Sequence, residues 1–201
     1  MDWIGIGNFI KARLPPFLNK IDDCLVIGAG GTAHAAIYAL HALGAGWIYL
    51  FNRTRRSAEE LVHVIPDANV ELLDTLDVMS VQGPPPGVIV STVPASATTT
   101  EEHVADALFL PSSLFSADAG VVADMAYKPT ETPLLRLAKT VVGGKWHSVM
   151  GIEVLLEQGY RQFELWKGRR CPRSVVSKTI LAAYQASYNY GVTRQLAHRN
   201  K

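Results

Sequence analysis

The run Cys24-Leu25-Val26-Ile27-Gly28-Ala29-Gly30-Gly31-Thr32-Ala33 opens apolar, breaks into glycines, and passes into the helix-patterned stretch His34 to Leu43. That order predicts a strand, a tight turn and a helix. The glycines have separate tasks in such a turn. Gly28 allows the sharp change of direction, and Gly30 lets the backbone approach a pyrophosphate with no Cβ in the way. Ala33 keeps the helix close to the sheet. The loop Gly28-Ala29-Gly30-Gly31-Thr32 is therefore a candidate phosphate cradle, backed by the unpaired N–H groups and partial positive charge of a helix N-terminus. A second strand, Trp47 to Phe51, completes a βαβ unit. This unit predicts an α/β fold: a Rossmann-like doubly wound parallel sheet with helices on both faces.

The end of the second strand decides which dinucleotide fits. An NAD site places Asp or Glu there, about 20 residues on, to bind the ribose 2′-hydroxyl. Here the strand runs into Asn52-Arg53-Thr54-Arg55-Arg56, with no acid before Glu59. Arg53 can stack on adenine and pair with a 2′-phosphate, Thr54 can donate a hydroxyl hydrogen bond, and Arg55 or Arg56 could be a second phosphate partner. The alternative is a solvated basic loop capping the following helix. On charge, NADP is expected over NAD.

Outward from this unit, apolar residues at helical spacing over 2–10 predict an N-terminal helix, stopped at Pro15-Pro16. Beyond the second strand, the pattern predicts a helix at Ser57–Val64, a strand at Val70–Leu72, a brief helix at Asp74–Val78 and a surface turn at Gly83–Gly87. Val88 to Val93 is a buried strand whose end, Ser91-Thr92-Val93-Pro94-Ala95, falls at the carboxyl edge where such sheets hold ligands. Thr92 and Val93 are thus expected to line the nicotinamide half. Val121–Met125 is the next core strand, and Thr132 with Pro133 caps a helix over Leu134–Lys139. A strand at Trp146–Val149 follows, then an amphipathic helix at Gly151–Trp166 ended by Gly168. A last helix, Ser174 to about Tyr188, precedes a polar tail. The expected division is a linker helix over 1–20, a dinucleotide-binding domain over 21–190 and a flexible tail over 191–201.

The chain has 201 residues, 48% of them apolar, and a formal net charge of +1. That length suits one sizeable α/β domain. No apolar run approaches the ~20 residues needed to span a bilayer, so no membrane partner is expected. Near-neutral charge and the lack of a helix-turn-helix or zinc pattern argue against nucleic acid, despite Arg169, Arg170 and Arg173 around Cys171-Pro172. The six histidines have no metal-ligand spacing, and no metal is expected. Two cysteines in different settings and no secretory leader point to an intracellular, reducing location.

Five stretches in order, G-A-G-G-T-A-H-A-A, N-R-T-R-R, S-T-V-P-A, D-M-A-Y-K-P-x-x-T-P-L and G-I-E-V-L-L-E-Q-G-Y-R-Q-F-E-L-W, resemble the cofactor half of shikimate/quinate dehydrogenases. The resemblance runs nearly to Pro172. The S-T-V-P-A form and the G-R-R-C-P ending look like fungal versions, one in the pentafunctional AROM polypeptide and one in the quinate repressor protein. It implies that Gly28, Gly30, Gly31 and Thr32 hold the pyrophosphate, and that Asn52, Arg53 and Thr54 hold the 2′-phosphate. Thr92 and Met125 line the nicotinamide, and Tyr127 and Gln158 lie near the substrate. Asp2 aligns with the Asp of an N-T-D motif that pairs with a catalytic Lys.

In the family that Lys, and the groups that hold the substrate carboxylate and hydroxyls, belong to an N-terminal substrate domain. Its motifs are not in this chain, so the chain alone is expected to be inactive, with Asp2 catalytic only in that domain's company. Two functions follow as expectations. The first is a non-catalytic regulatory module of a fungal quinate-pathway transcription repressor, in nucleus or cytoplasm, sensing a shikimate- or quinate-type metabolite or a dinucleotide. The second is the NADP-binding half of a cytoplasmic shikimate dehydrogenase. Expected partners are other domains of a parent polypeptide, a separate protein, or a second copy, contacted through the apolar face around Trp3, Ile4, Ile6, Phe9 and Ile10.

Overall fold

The computed structural model describes residues 2–15, 21–77, 85–101, 107–141, 145–184 and 186. The chain divides into two compact units, Met1–Leu155 and Leu156–Lys201. In the first, helix α1 (Asp2–Arg13) leads into β1 (Asp23–Ile27), α2 (Gly31–Ala42), β2 (Trp47–Phe51), α3 (Arg55–Val64) and β3 (Val70–Leu73). Next come β4 (Val88–Ser91), the two-residue strands β5 (Thr98–Thr99) and β6 (Leu108–Phe109), β7 (Gly120–Asp124), α4 (Pro133–Val141) and β8 (Trp146–Met150). Helix α5 (Gly151–Lys167) begins in the first unit and continues in the second.

Six strands form one parallel sheet in the order β3-β2-β1-β4-β7-β8. The order reverses between β1 and β4, the point at which a doubly wound sheet opens a crevice beyond its strand ends. Central strands of such a sheet are covered on both faces and need no polar alternation. Accordingly β4 and β7 are buried at every residue, and β1 at all but its first. Side chains still alternate between two cores. Cys24 and Val26 join Ile37, Leu40 and Leu50 on one face, whereas Leu25 and Ile27 join Val122, Leu114 and Leu134 on the other.

The N-terminal helix packs on its own sheet unit. Ile6 and Ile10 of α1 are buried in the core shared with α2, each contributing roughly 1.5–3 kcal/mol of apolar burial. Ile4 and Phe9 are half-buried, and Trp3 stays exposed edge-on to Tyr38, ring centroids 4.9 Å apart. Of the five apolar residues expected on an open face, two are therefore core.

Most boundaries fall near their expected places. Helix α2 starts at Gly31 rather than His34, because the glycine turn itself supplies the first helical residues. Thr132 caps α4 as expected: the Leu135 N–H donates to its Oγ1 at 3.3 Å, with Pro133 first in the helix. The brief helix expected over Asp74–Val78 is a 3₁₀ turn at residues 76–77, and position 78 lies outside the described residues. The turn expected at Gly83–Gly87 is described from residue 85 on. In the second unit α5 continues to Lys167, and residues 173–184 are helical, one position ahead of the expected Ser174. The remainder of that helix and the expected 191–201 tail lie outside the described residues, save residue 186.

Candidate functional site

The carboxyl ends of β1, β2 and β4 are tied together at the glycine turn. Ile27 offers its carbonyl to two donors of one residue, Thr92 N at 2.8 Å and Thr92 Oγ1 at 3.0 Å. The Gly28 N–H donates to Phe51 O at 2.8 Å. Gly28 itself has φ +111°, where a side chain is strained. A Cβ there would stand 2.4 Å from Thr92 Oγ1. Thr92 thus lies behind the turn and fixes its shape.

Beyond the turn the backbone is open. Gly30 occupies the N-cap of α2 in an extended conformation with no side-chain cap. A Cβ on Gly30 or Gly31 would meet nothing within 4 Å. The first N–H groups of this 12-residue helix have no side-chain cap and carry its partial positive charge. This is the arrangement that receives a phosphate, and the residues present fit a dinucleotide's pyrophosphate.

Alongside lies a cleft of about 180 Å³ whose walls include Gly28, Asn52, Arg53, Thr54 and Val93, with Leu108 of β6 closing one side. Asn52 Nδ2 donates to Thr54 O at 2.9 Å, which shapes the loop from β2 into α3. Thr54 is the N-cap of α3 and makes no side-chain cap bond. Arg55 and Arg56 are directed elsewhere. Arg55 pairs with Glu59 and with Asp74, and Arg56 pairs with Glu60 at 3.0 Å on the exposed face of α3. Of the basic run, Arg53 alone lines the cleft.

A second, open depression shares Pro94 with this cleft and is lined by Ala126, Tyr127, Lys128 and Arg136. Met125, the residue before Ala126, does not line it; its N–H donates to Ser91 O at 2.8 Å. The stem of this loop is held by Asp124, whose carboxylate accepts the Ala126 N–H at 3.1 Å. Burial pushes the Asp124 pKa up, against the pull of the Thr132 hydroxyl and the Ala126 N–H. Sequence reasoning missed Gly151. A Cβ there would stand 2.5 Å from Met125 O and 2.6 Å from Ala126 O, so only glycine lets α5 start against this loop. The glycine opening a helix pattern was the available signal. Glu153 then reaches back to the Met150 N–H at 2.9 Å, half of a capping box, and also pairs with Arg13 of α1.

Not every expected residue meets at one place. Gly28, Asn52, Arg53, Thr54 and Val93 meet in the cleft, and Tyr127 stands in the neighbouring depression. Ala29 and Thr32 are half-buried on either side of the exposed Gly30-Gly31. Asp2 is exposed at the start of α1, and Gln158 is a half-buried residue of the second unit. In that unit Arg173 is paired with Glu157 at 3.1 Å and stacks over Tyr160, while Arg169 stacks over Phe163. Two of the three arginines of that basic cluster thus have local partners. Among the described residues, no group of three or more His, Cys, Asp or Glu side chains could hold a metal ion, and no helix is long and apolar enough to cross a membrane.

A doubly wound parallel sheet with a glycine turn and a helix N-terminus at its switch point defines a Rossmann-like α/β fold. The chain matches the family model described as shikimate / quinate 5-dehydrogenase over residues 17–130, and the shikimate 5′-dehydrogenase C-terminal domain over residues 151–181. It belongs to the shikimate/quinate dehydrogenase family. Among its relatives is the pentafunctional AROM polypeptide of Malassezia globosa, 47% identical over 92% of this chain and 11% of that polypeptide. The quinate repressor protein of Emericella nidulans is 36% identical over 92% of this chain and 22% of that protein. The chain thus spans between about a ninth and about a fifth of these relatives. The solved dehydroquinate dehydratase and shikimate dehydrogenase from S. pombe AroM is 34% identical, with a TM-score of 0.70 over 90% of this chain and 34% of that one. The quinate dehydrogenase from Corynebacterium glutamicum, solved with NAD, shares the fold at 24% identity, TM-score 0.71, over 90% of this chain and 61% of that one.

Proposed function

We propose that this chain is the NADP(H)-holding half of a shikimate dehydrogenase of the AROM type, one domain of a larger fungal polypeptide, and that a separate substrate domain completes its active site. The observation that carries the reading is the Gly28 turn, locked by Thr92 at the strand switch point and flanked by the acid-free Asn52-Arg53-Thr54 loop. The 47% identity to an AROM polypeptide supports it.

The residues then divide the work. The open N-terminus of α2 receives the pyrophosphate through Gly30, Gly31 and Thr32. Arg53 and Thr54 receive the ribose 2′-phosphate, where an acid would repel it. Val93, Met125 and the Tyr127 loop sit toward the nicotinamide end, with Tyr127 facing the substrate. The bound dinucleotide supplies the hydride acceptor. Deprotonating and orienting the substrate hydroxyl falls to a base outside this chain, with Asp2 as that base's partner. The test is an absorbance assay of shikimate-dependent NADP+ reduction, with the chain alone and mixed with the substrate domain of a family dehydrogenase. No turnover alone and turnover in the mixture is the expected result. A mixture that stays inactive while the chain binds NADPH would contradict it.

A second reading, supported by the 36% identity to the quinate repressor protein, is a regulatory module that binds a dinucleotide or a pathway metabolite without turnover. It predicts tight binding and an inactive mixture, so the same assay separates the two.

A further inference from the structure

The loop that distinguishes the two dinucleotides carries three arginines, but two of them are tied back by carboxylates. Arg55 is the first residue of α3, next to cleft-lining Thr54. Its Nε meets Glu59 Oε1 at 3.0 Å, one turn along the same helix. Its Nη1 meets Asp74 Oδ1, which follows the end of β3 on the same carboxyl edge of the sheet. Asp74 is 19 positions away in sequence and four-fifths exposed. The Glu59 contact anchors the side chain to its own helix, whereas the Asp74 contact decides where the far end of the guanidinium points.

We propose that Asp74 is a specificity-determining residue: by holding Arg55 toward β3, it keeps a second guanidinium from the 2′-phosphate and restrains the preference for NADP(H) over NAD(H). The inference rests on the reading that the Asn52-Arg53-Thr54 loop receives that phosphate. A carboxylate at this edge acts against a dianionic ligand in two ways, by withdrawing the cation and by its own charge. Only the first requires Arg55. Both partners are largely exposed, so the effect is modest and screened by salt.

Calorimetric titration of the 201-residue chain with NADPH and with NADH, at low and high salt, tests this. Asp74→Asn is expected to tighten NADPH about two- to fivefold at low salt, to leave NADH unchanged, and to lose the gain at high salt. In an Arg55→Ala background, Asp74→Asn should give a clearly smaller gain, and the double-mutant cycle measures the difference. Equal NADPH gains in both backgrounds would make Asp74 a simple repulsive charge and overturn the retention of Arg55. An unchanged or lower NADPH-to-NADH preference in Asp74→Asn would overturn the proposal outright. Loss of both affinities together would mark a damaged fold, and Asp74→Ser would then carry the same comparison. Failure of the folded wild type to bind NADPH would remove the underlying reading, and this inference with it.

Discussion

At Gly28 the chain needs both a left-handed backbone and an empty Cβ position, since φ is +111° and Thr92 Oγ1 fills the space. Gly28→Ala is therefore expected to lose about 1–3 kcal/mol from backbone strain alone, with dinucleotide binding lost beyond what stability explains. Urea unfolding and titration of the same sample check both. The two thiols differ as sharply. Cys24 is fully buried, and burial first, with Asp23 and Asp22 beside it, pushes its pKa up. Half-buried Cys171 has no such shelter. A thiol reagent on the native chain should label one cysteine readily, identified as Cys171 by mass spectrometry. Rapid double labelling would contradict this. Asp124 gives a pH signature. Its pKa is raised in the fold, so the folded chain holds a proton that the unfolded chain has released. Its contribution is then most favourable below the unfolded value, declines as pH rises through the folded value, and is flat above. Relative to wild type, Asp124→Asn should gain stability as pH rises across that window. Unfolding curves that stay parallel at every pH would remove Asp124 as the cause.

At the scale of elements, the cap on α4 is a direct test of local reading. Thr132→Ala removes the Leu135 N–H acceptor and should cost about 1 kcal/mol, or about 2–4 °C in Tm, without changing dinucleotide affinity. Thermal unfolding and titration check it. The same element shows what was legible. Thr132-Pro133 and the glycine break after Ile27 each carry a local chemical signal, so these elements stood out in sequence. The pairing of β5 with β6 did not. Thr98–Thr99 and Leu108–Phe109 are two-residue strands, too short for any periodicity, and only the tertiary fold brings them together. The turn of Arg55 toward Asp74 was hidden for the same reason, since Asp74 becomes its neighbour only once β3 lies beside β2; Arg56 pairs with Glu60 one turn along its own helix, a spacing the sequence carries. The N-terminal helix was legible as a helix, but its packing was not. Spacing placed Ile6 and Ile10 on an apolar face, and the structure supplies the sheet unit that covers them.

At the scale of the molecule, the proposed function is that of a holder of one dinucleotide whose chemistry a separate domain completes. The fold is fixed by the sheet order and by the family to which the chain belongs. In the proposed function the choice of dinucleotide rests on one loop, whose Arg53 lines the cleft. The most direct test is calorimetric titration of the wild-type chain and of Arg53→Ala with NADPH and NADH. The account predicts that the wild type prefers NADPH, and that Arg53→Ala weakens NADPH by about tenfold or more, as expected for a charge-assisted contact to phosphate of about 1.5–3 kcal/mol, with a much smaller effect on NADH. Equal wild-type affinities for the two dinucleotides, or an Arg53→Ala variant that binds NADPH as the wild type does, would contradict it.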